Sequence, residues 1–253
     1  MTAPPKLEVR ALSIRYERVA AVRDLDLAVP AGSIYAIIGP AGSGKTSVLR
    51  TVNLLSLEVD GAEAAGRILI DGEDILRPDI DRARLRRRVG MVFATPQPLP
   101  GTVYDNLVYG PRLAGVRGQA RLDELVESSL RASQLWDEVK DRLGKSAFAL
   151  SGGQQQRLCL ARTIALGPEI VLLDEPCSGL DPISTLKIEE TMRSLRSRFT
   201  WVLVTNNTKQ AARVSDRTAF LLGGELVEEA PTPQLFTAPK DARTGDYVEG
   251  RFG

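Results

Sequence analysis

Apolar residues gather in short runs at residues 34–39, 67–71, 89–94, 170–174, 201–205 and 218–222, each set off by Gly, Pro, Asp or other polar residues. Several of these runs are unbroken rather than alternating, the pattern of strands covered on both faces. Helix-like stretches lie between them, chiefly 45–54, 121–135, 154–166 and 183–197. Strand alternating with helix predicts an α/β core around a mostly parallel sheet. The opening segment LEVRALSIRYERVAAVRDLDLAVPAG differs, because its period-2 stretches and turn signals predict an antiparallel sheet at the front.

The middle of the chain breaks the pattern. In ATPQPLPGTVYDNLVYGPRLAGVRG, Pro96, Pro98 and Pro100 alternate, so residues 94–101 are expected as an extended, stiff loop. A polar, largely helical region follows to about residue 149 and reads as a helical insertion between core strands. There is no internal repeat and no low-complexity linker.

Composition narrows the chemistry. The chain has 253 residues, room for one domain or two, and its 33 Lys and Arg against 32 Asp and Glu leave a formal charge of +1. That balance lacks the basic footprint of a nucleic-acid binder, and aromatics at 5% are too sparse for a base-stacking surface. There is no histidine, which excludes a Ser/His/Asp triad, a Cys/His pair, a His-ligated zinc and an imidazole proton shuttle. Two cysteines, Cys159 and Cys177, make no disulfide framework and fit a reducing compartment as packing residues. No apolar run reaches the roughly 18 to 20 residues of a membrane span, and MTAPPKLEVR lacks a signal-peptide core. A cytosolic chain with at most a peripheral membrane role is expected.

Gly39-Pro40-Ala41-Gly42-Ser43-Gly44-Lys45-Thr46 fits G-x-x-x-x-G-K-[ST], directly after an apolar strand and leading into the helical run 45–54, with Ser47 the next candidate phosphate-binding residue. Its glycines let successive N–H groups curl around phosphate oxygens, Lys45 neutralises charge on the β- and γ-phosphates, and the Thr46 hydroxyl suits Mg²⁺. An apolar strand ending in an acid completes such a site, and Ile170-Val171-Leu172-Leu173-Asp174-Glu175-Pro176 supplies it. Asp174 would hold Mg²⁺ directly or through water, and Glu175 would orient or deprotonate the attacking water.

Leu150-Ser151-Gly152-Gly153-Gln154 matches the LSGGQ signature, and Ser178-Gly179-Leu180-Asp181 follows the acid-tipped strand as the D-loop does. With these motifs in this order the chain resembles the ATP-binding cassette (ABC) ATPases over essentially its full length. The fold implied is a P-loop NTPase of the ABC type: a mostly parallel core sheet, an N-terminal antiparallel β subdomain and an inserted helical subdomain. The resemblance implies one domain over residues 1–253, with the core and β subdomain at about 1–93 and 168–253 and the Q-loop region, helical subdomain and signature helix at 94–167. Ser151, Gly152, Gly153 and Gln154 open a helix and form a second phosphate cradle. One nucleotide needs one P-loop, so the second cradle implies a second chain packed head to tail. Read alone, SGG before a helix is an ordinary N-cap. Tyr16 falls where the family carries an adenine-stacking aromatic, though a Tyr in a strand also serves packing.

GPRLAGVRG, the run from Leu180 to Glu190, QAARVSDRTAFLL and YVEGRFG are similar to the ATP-binding subunits of bacterial phosphate importers. That likeness implies a dimer on the cytoplasmic face of the membrane, beneath a permease fed with phosphate by an extracytoplasmic binding protein, with no nucleic-acid partner. Two positions depart from the family. Its Q-loop Gln, beside Mg²⁺ or water, is Ala94 here, with Gln97 the nearest amide, and its His against the γ-phosphate is Asn206. Asn donates a neutral hydrogen bond but carries no charge. Two functions therefore stand: an ATP hydrolase powering import, favoured by Glu175, and a nucleotide-dependent regulatory cassette, favoured by Ala94 and Asn206. A DNA-repair or translation ABC protein is disfavoured, since the chain has no long coiled-coil insertion and no second cassette. Arg84, Arg86, Arg87 and Arg88 are expected on a solvated helix face, and residues 231–253 as short helices or loose chain.

Overall fold

A computed structural model describes residues 4–251, so the last two residues of YVEGRFG lie outside the described residues. The chain opens with β1 (Leu7–Tyr16), β2 (Val19–Val29), β3 (Ile34–Ile38), α1 (Lys45–Thr51), β4 (Ala62–Ile70), β5 (Glu73–Asp74), α2 (Arg82–Arg88) and β6 (Val89–Val92). The middle is helical, with α3 (Val103–Leu113), α4 (Gln119–Ala132), α5 (Trp136–Val139) and α6 (Gly152–Ala165). Then come β7 (Ile170–Asp174), α7 (Pro182–Ser194), β8 (Thr200–Val204), α8 (Thr208–Val214), β9 (Arg217–Leu222), β10 (Glu225–Pro231), α9 (Thr232–Thr237) and α10 (Ala242–Val248).

The unbroken apolar runs are the central strands. In the six-stranded sheet β10-β9-β3-β8-β7-β6, every neighbouring pair is parallel except β10 with β9. β3, β7 and β8 are buried at every position, because both faces are covered. Tyr35, Ile37, Ile170, Leu172, Val202 and Val204 face the core shared with the front sheet and α1. Their alternates Ile34, Val171, Leu173, Trp201 and Leu203 face the layer that holds Leu160, Ile188 and Met192 of α6 and α7. The front sheet, β2-β1-β4-β5, is antiparallel throughout, as its alternating pattern predicts.

Helices α3, α4 and α6 have a core of their own, with Leu107, Leu122, Val126, Leu130 and Leu158 at its centre. Thr102 starts α3 with a reciprocal capping box to Asp105, which explains why a helix begins immediately after the Pro-stiffened loop. Among the described residues, no helix is long and apolar enough to cross a membrane.

Several boundaries differ from the sequence expectation. α1 stops at Thr51, since Leu54 takes a left-handed φ of 61° and turns the chain. β4 starts five residues before the expected strand, drawn out by pairing with β1 from Ala62 opposite Tyr16. β10 was not foreseen: Gly223 and Gly224, with φ of 59° and 88°, make a two-residue hairpin that brings residues 225–231 back along β9. The basic cluster is only half solvated. Arg84 and Arg87 are exposed, but Arg86 binds Glu58 and Arg88 binds Glu169, Glu73 and Asp71. Within residues 232–248 the short helices α9 and α10 cover the β3, β9 and β10 end of the sheet.

Candidate active site

The loop from Gly39 to Gly44 leaves β3 under tight backbone contact. A Cβ on Gly39, whose φ is 151°, would stand 2.1 Å from the Leu221 carbonyl oxygen, and one on Gly44 (φ 92°) would stand 2.5 Å from that of Ala21. Gly42 has nothing within 4 Å of such a Cβ, so the middle of the loop opens outward while its two roots are clamped by β9 and β2. Gly44 caps α1 without any side-chain hydrogen bond, so no side chain takes the first-turn N–H groups. Pro40 and Ser47 are half-buried and Ala41 is exposed, whereas Ser43 is buried.

Lys45, only 5% exposed, lies across this loop. Its ammonium donates to the Gly39 carbonyl at 2.7 Å and the Pro40 carbonyl at 2.8 Å, with Ser43 Oγ at 3.4 Å. Burial pulls its pKa below 10.5, against the opposing pull of Glu175 and Asp174. The cation is therefore held at the loop mouth by weak neutral acceptors, which an anionic phosphate would outcompete.

At the tip of β7, Asp174 is 4% exposed. Thr46 Oγ1 donates to its Oδ1 at 2.8 Å, and Arg50, one helical turn further along α1, approaches Oδ2 at 3.4 Å. A hydroxyl and a carboxylate oxygen are hard donors, and no cluster of three or more His, Cys, Asp or Glu that could hold a metal occurs among the described residues. This donor set fits Mg²⁺, which takes one or two protein oxygens and draws its other ligands from phosphates and water.

Glu175 turns away from Asp174 because its backbone is left-handed, with φ at 48°, while its N–H still bonds the Val204 carbonyl at 2.8 Å. A non-glycine residue held there stores strain. Its carboxyl is raised above the ordinary 4.5, first by burial and then by Asp174, while Lys45 and the amides of Asn206 pull the other way. Both the backbone N–H and the side chain of Asn206 face this carboxylate. The family resemblance implies a place beside the γ-phosphate for Asn206; in the structure Asn206 faces Glu175.

Ser151, Gly152, Gly153 and Gln154 gather at a second place. Ser151 is the N-cap of α6, and its reciprocal capping box with Gln154 starts the helix at Gly152, two residues before the expected start. Gly152 faces open space, but a Cβ on Gly153 would stand 2.1 Å from Ser184 Oγ of α7. Ser184 in turn donates to Asp181, the N-cap of α7, from both its N–H and its hydroxyl. Gly153 thus serves the packing of α6 on α7, and Gly152 is the open position. Tyr16, the last residue of β1, is half-buried against the core between the two sheets.

Three contacts escaped the sequence. Arg50 could have been found from its i+4 spacing to Thr46. Gln156, buried in α6, donates to the carbonyls of Phe93 and Pro176 at 2.8 and 3.0 Å and so ties the end of β6 to the turn after Glu175. Glu138 of α5 collects Gln154, Arg157 and Lys187. Gln97 is exposed, and its backbone carbonyl accepts from Arg162 at 2.9 Å.

A family model described as ABC transporter matches residues 22–178. The chain belongs to the ABC transporter family. This ABC ATPase is 52% identical over 252 residues to the phosphate import ATP-binding protein PstB of Pseudoalteromonas translucida (strain TAC 125), covering 100% of this chain and 92% of that protein. Its fold also matches a bacterial Atm1-family ABC exporter solved with ATP bound, with a TM-score of 0.83 and 26% identity. That match covers 100% of this chain and 43% of the exporter's chain. Family membership makes the protein an ATPase whose hydrolysis is coupled to transport.

Proposed function

We propose that this ABC ATPase drives import of inorganic phosphate as a dimer under a membrane permease. The observation that carries the enzymatic part is the convergence of Lys45, Thr46, Asp174 and Glu175 on one mouth. Identity to a phosphate import protein carries the cargo. Gly39 to Ser47 cradle the ATP phosphates, and Lys45 exchanges its carbonyl partners for phosphate oxygens. Thr46 and Asp174 are the residues that would hold Mg²⁺, which supplies neutralisation of phosphate charge. Glu175 accepts the proton of the attacking water as its oxygen bonds the γ-phosphorus and the bond to ADP breaks. The raised Glu175 carboxyl is a better base than a solvated one.

The second chain contributes Ser151, Gly152, Gly153, Gln154 and Asp181 across the interface, and Tyr16 stacks on adenine. Exposed Phe148, Ile183 and Leu186 flank the signature and the start of α7, which supports an apolar contact there. Exposed Tyr109 and Leu113 of α3 support docking of the permease on the helical subdomain at 94–167, on the cytoplasmic face. Ala94 and Asn206 favour a slower motor, because the amide of Asn206 is neutral and faces Glu175. Loss of one transition-state donor typically lowers rate by about a hundred- to a thousandfold. Steady-state ATP hydrolysis by the purified chain and by Asn206→His tests this. A faster Asn206→His variant supports the slow-motor reading, and equal rates sink it. Phosphate uptake in cells lacking the protein tests the cargo.

A further inference from the structure

One buried amide serves both the loop after β6 and the turn that carries Glu175. Gln156, only 1% exposed on α6, sends its Nε2 to the carbonyl of Phe93 at 2.8 Å and to that of Pro176 at 3.0 Å. Phe93 directly precedes Ala94, and Pro176 directly follows Glu175. The two amide hydrogens thus match two acceptors, whereas Oε1 is buried with no partner. The two carbonyls fix the orientation, since the amide oxygen turned toward them would set acceptor against acceptor. An unpaired buried acceptor weakens the fold, so packing alone favours an apolar side chain of the same shape here.

What this donor holds is a strained turn. Glu175 has a left-handed backbone, φ 48°, which persists only where its surroundings fix it. Its N–H is fixed by the Val204 carbonyl of β8 at 2.8 Å, and its own carbonyl accepts from the Ser178 N–H at 3.0 Å. The next carbonyl, that of Pro176, is taken by Gln156. Gln156 lies one helical turn beyond Gly152, and further along the same helix Arg162 holds the Gln97 carbonyl at 2.9 Å. Helix α6 therefore supports the loop after β6 at two points, and through the first of them it supports the catalytic turn as well.

We propose that Gln156 is a positioning residue for ATP hydrolysis, bridging the Phe93 and Pro176 carbonyls so that the turn holding Glu175 keeps its shape. It acts through the backbone of residues 175–176 and not on the reacting atoms. The inference rests on the reading of Glu175 as the base.

Steady-state ATP turnover, equilibrium ATP binding and thermal melting test it on the parent, Gln156→Met, Glu175→Gln and the double variant, with turnover read well below the lowest melting temperature. Gln156→Met keeps an unbranched side chain of similar length and removes the donor. It is expected to lower turnover about ten- to a hundredfold, because a shift of about 1 Å at a reacting group can cost that much, while ATP affinity stays within about twofold of the parent's. In the Glu175→Gln background the same substitution should lower the residual rate by less than about threefold, since the group it positions is already gone. Gln156→Asn, whose amide is one methylene short of spanning both carbonyls, takes the place of Gln156→Met should that variant not fold, with the same expectation. Parental turnover in the folded variant overturns the proposal whatever the melting temperature does. So does a loss confined to ATP affinity, or an equal fall in the Glu175→Gln background, which marks general damage. If Glu175→Gln itself leaves turnover unchanged, the reading of Glu175 as the base is overturned, and the proposal with it.

Discussion

Glu175 concentrates the chemistry in one residue: a strained backbone, a half-buried carboxyl and amides of Asn206 turned toward it. Glu175→Gln should lower ATP turnover at least about a hundredfold while leaving ATP affinity near the parent's, a split read by comparing turnover with equilibrium binding. Because burial raises this carboxyl, the acid limb of the pH–rate profile should fall above the ordinary 4.5, with activity lost as the pH drops through it. Gly153→Ala tests the second cradle: a Cβ 2.1 Å from Ser184 Oγ and 2.7 Å from Ser184 Cβ must push α7 away. Both ATP turnover and melting temperature should fall, and Ser184→Gly in the same chain should restore part of each. Lys45, Thr46, Asp174 and Glu175 were legible in the sequence because each is defined by neighbours within a few positions. Gln156 was not, since its partner Phe93 lies 63 residues away and only the fold joins them.

At the scale of elements, continuous apolar runs identified the central strands because burial on both faces removes the need for polar alternates. Helix ends and β10 were misplaced where one left-handed residue or a Gly-Gly hairpin decides the boundary. The most consequential junction is ionic. Glu138 of α5 accepts Arg157 at 2.6 and 3.0 Å, Lys187 at 2.5 Å and Gln154 at 2.9 Å, so one carboxylate joins the helical insertion to α6 and α7. Chiefly through Arg157, its carboxyl is held down at about 2. A depressed carboxyl contributes stability that is present above its unfolded range near 4.5 and is lost as pH falls toward about 2. Glu138→Gln should therefore lower the melting temperature at pH 7 and lose less additional stability than the parent between those values. Circular dichroism melts at stepped pH values measure the difference.

For the whole molecule, the arrangement of two cradles matters more than either alone. Lys45, Thr46, Asp174, Glu175 and Asn206 form one group, and Ser151, Gly152 and Asp181 form another around the junction of α6 and α7. The absence of histidine, which first excluded whole reaction classes, comes down to Asn206 beside Glu175. The central claim is that ATP is bound by the first group of one chain and closed over by the second group of another. Analytical ultracentrifugation of Glu175→Gln with ATP and Mg²⁺ tests it most directly. The account predicts a species of twice the chain mass that reverts to monomer when ATP is withheld or when Gly152→Asp is added. A Glu175→Gln chain saturated with ATP yet still monomeric at high protein concentration would contradict it.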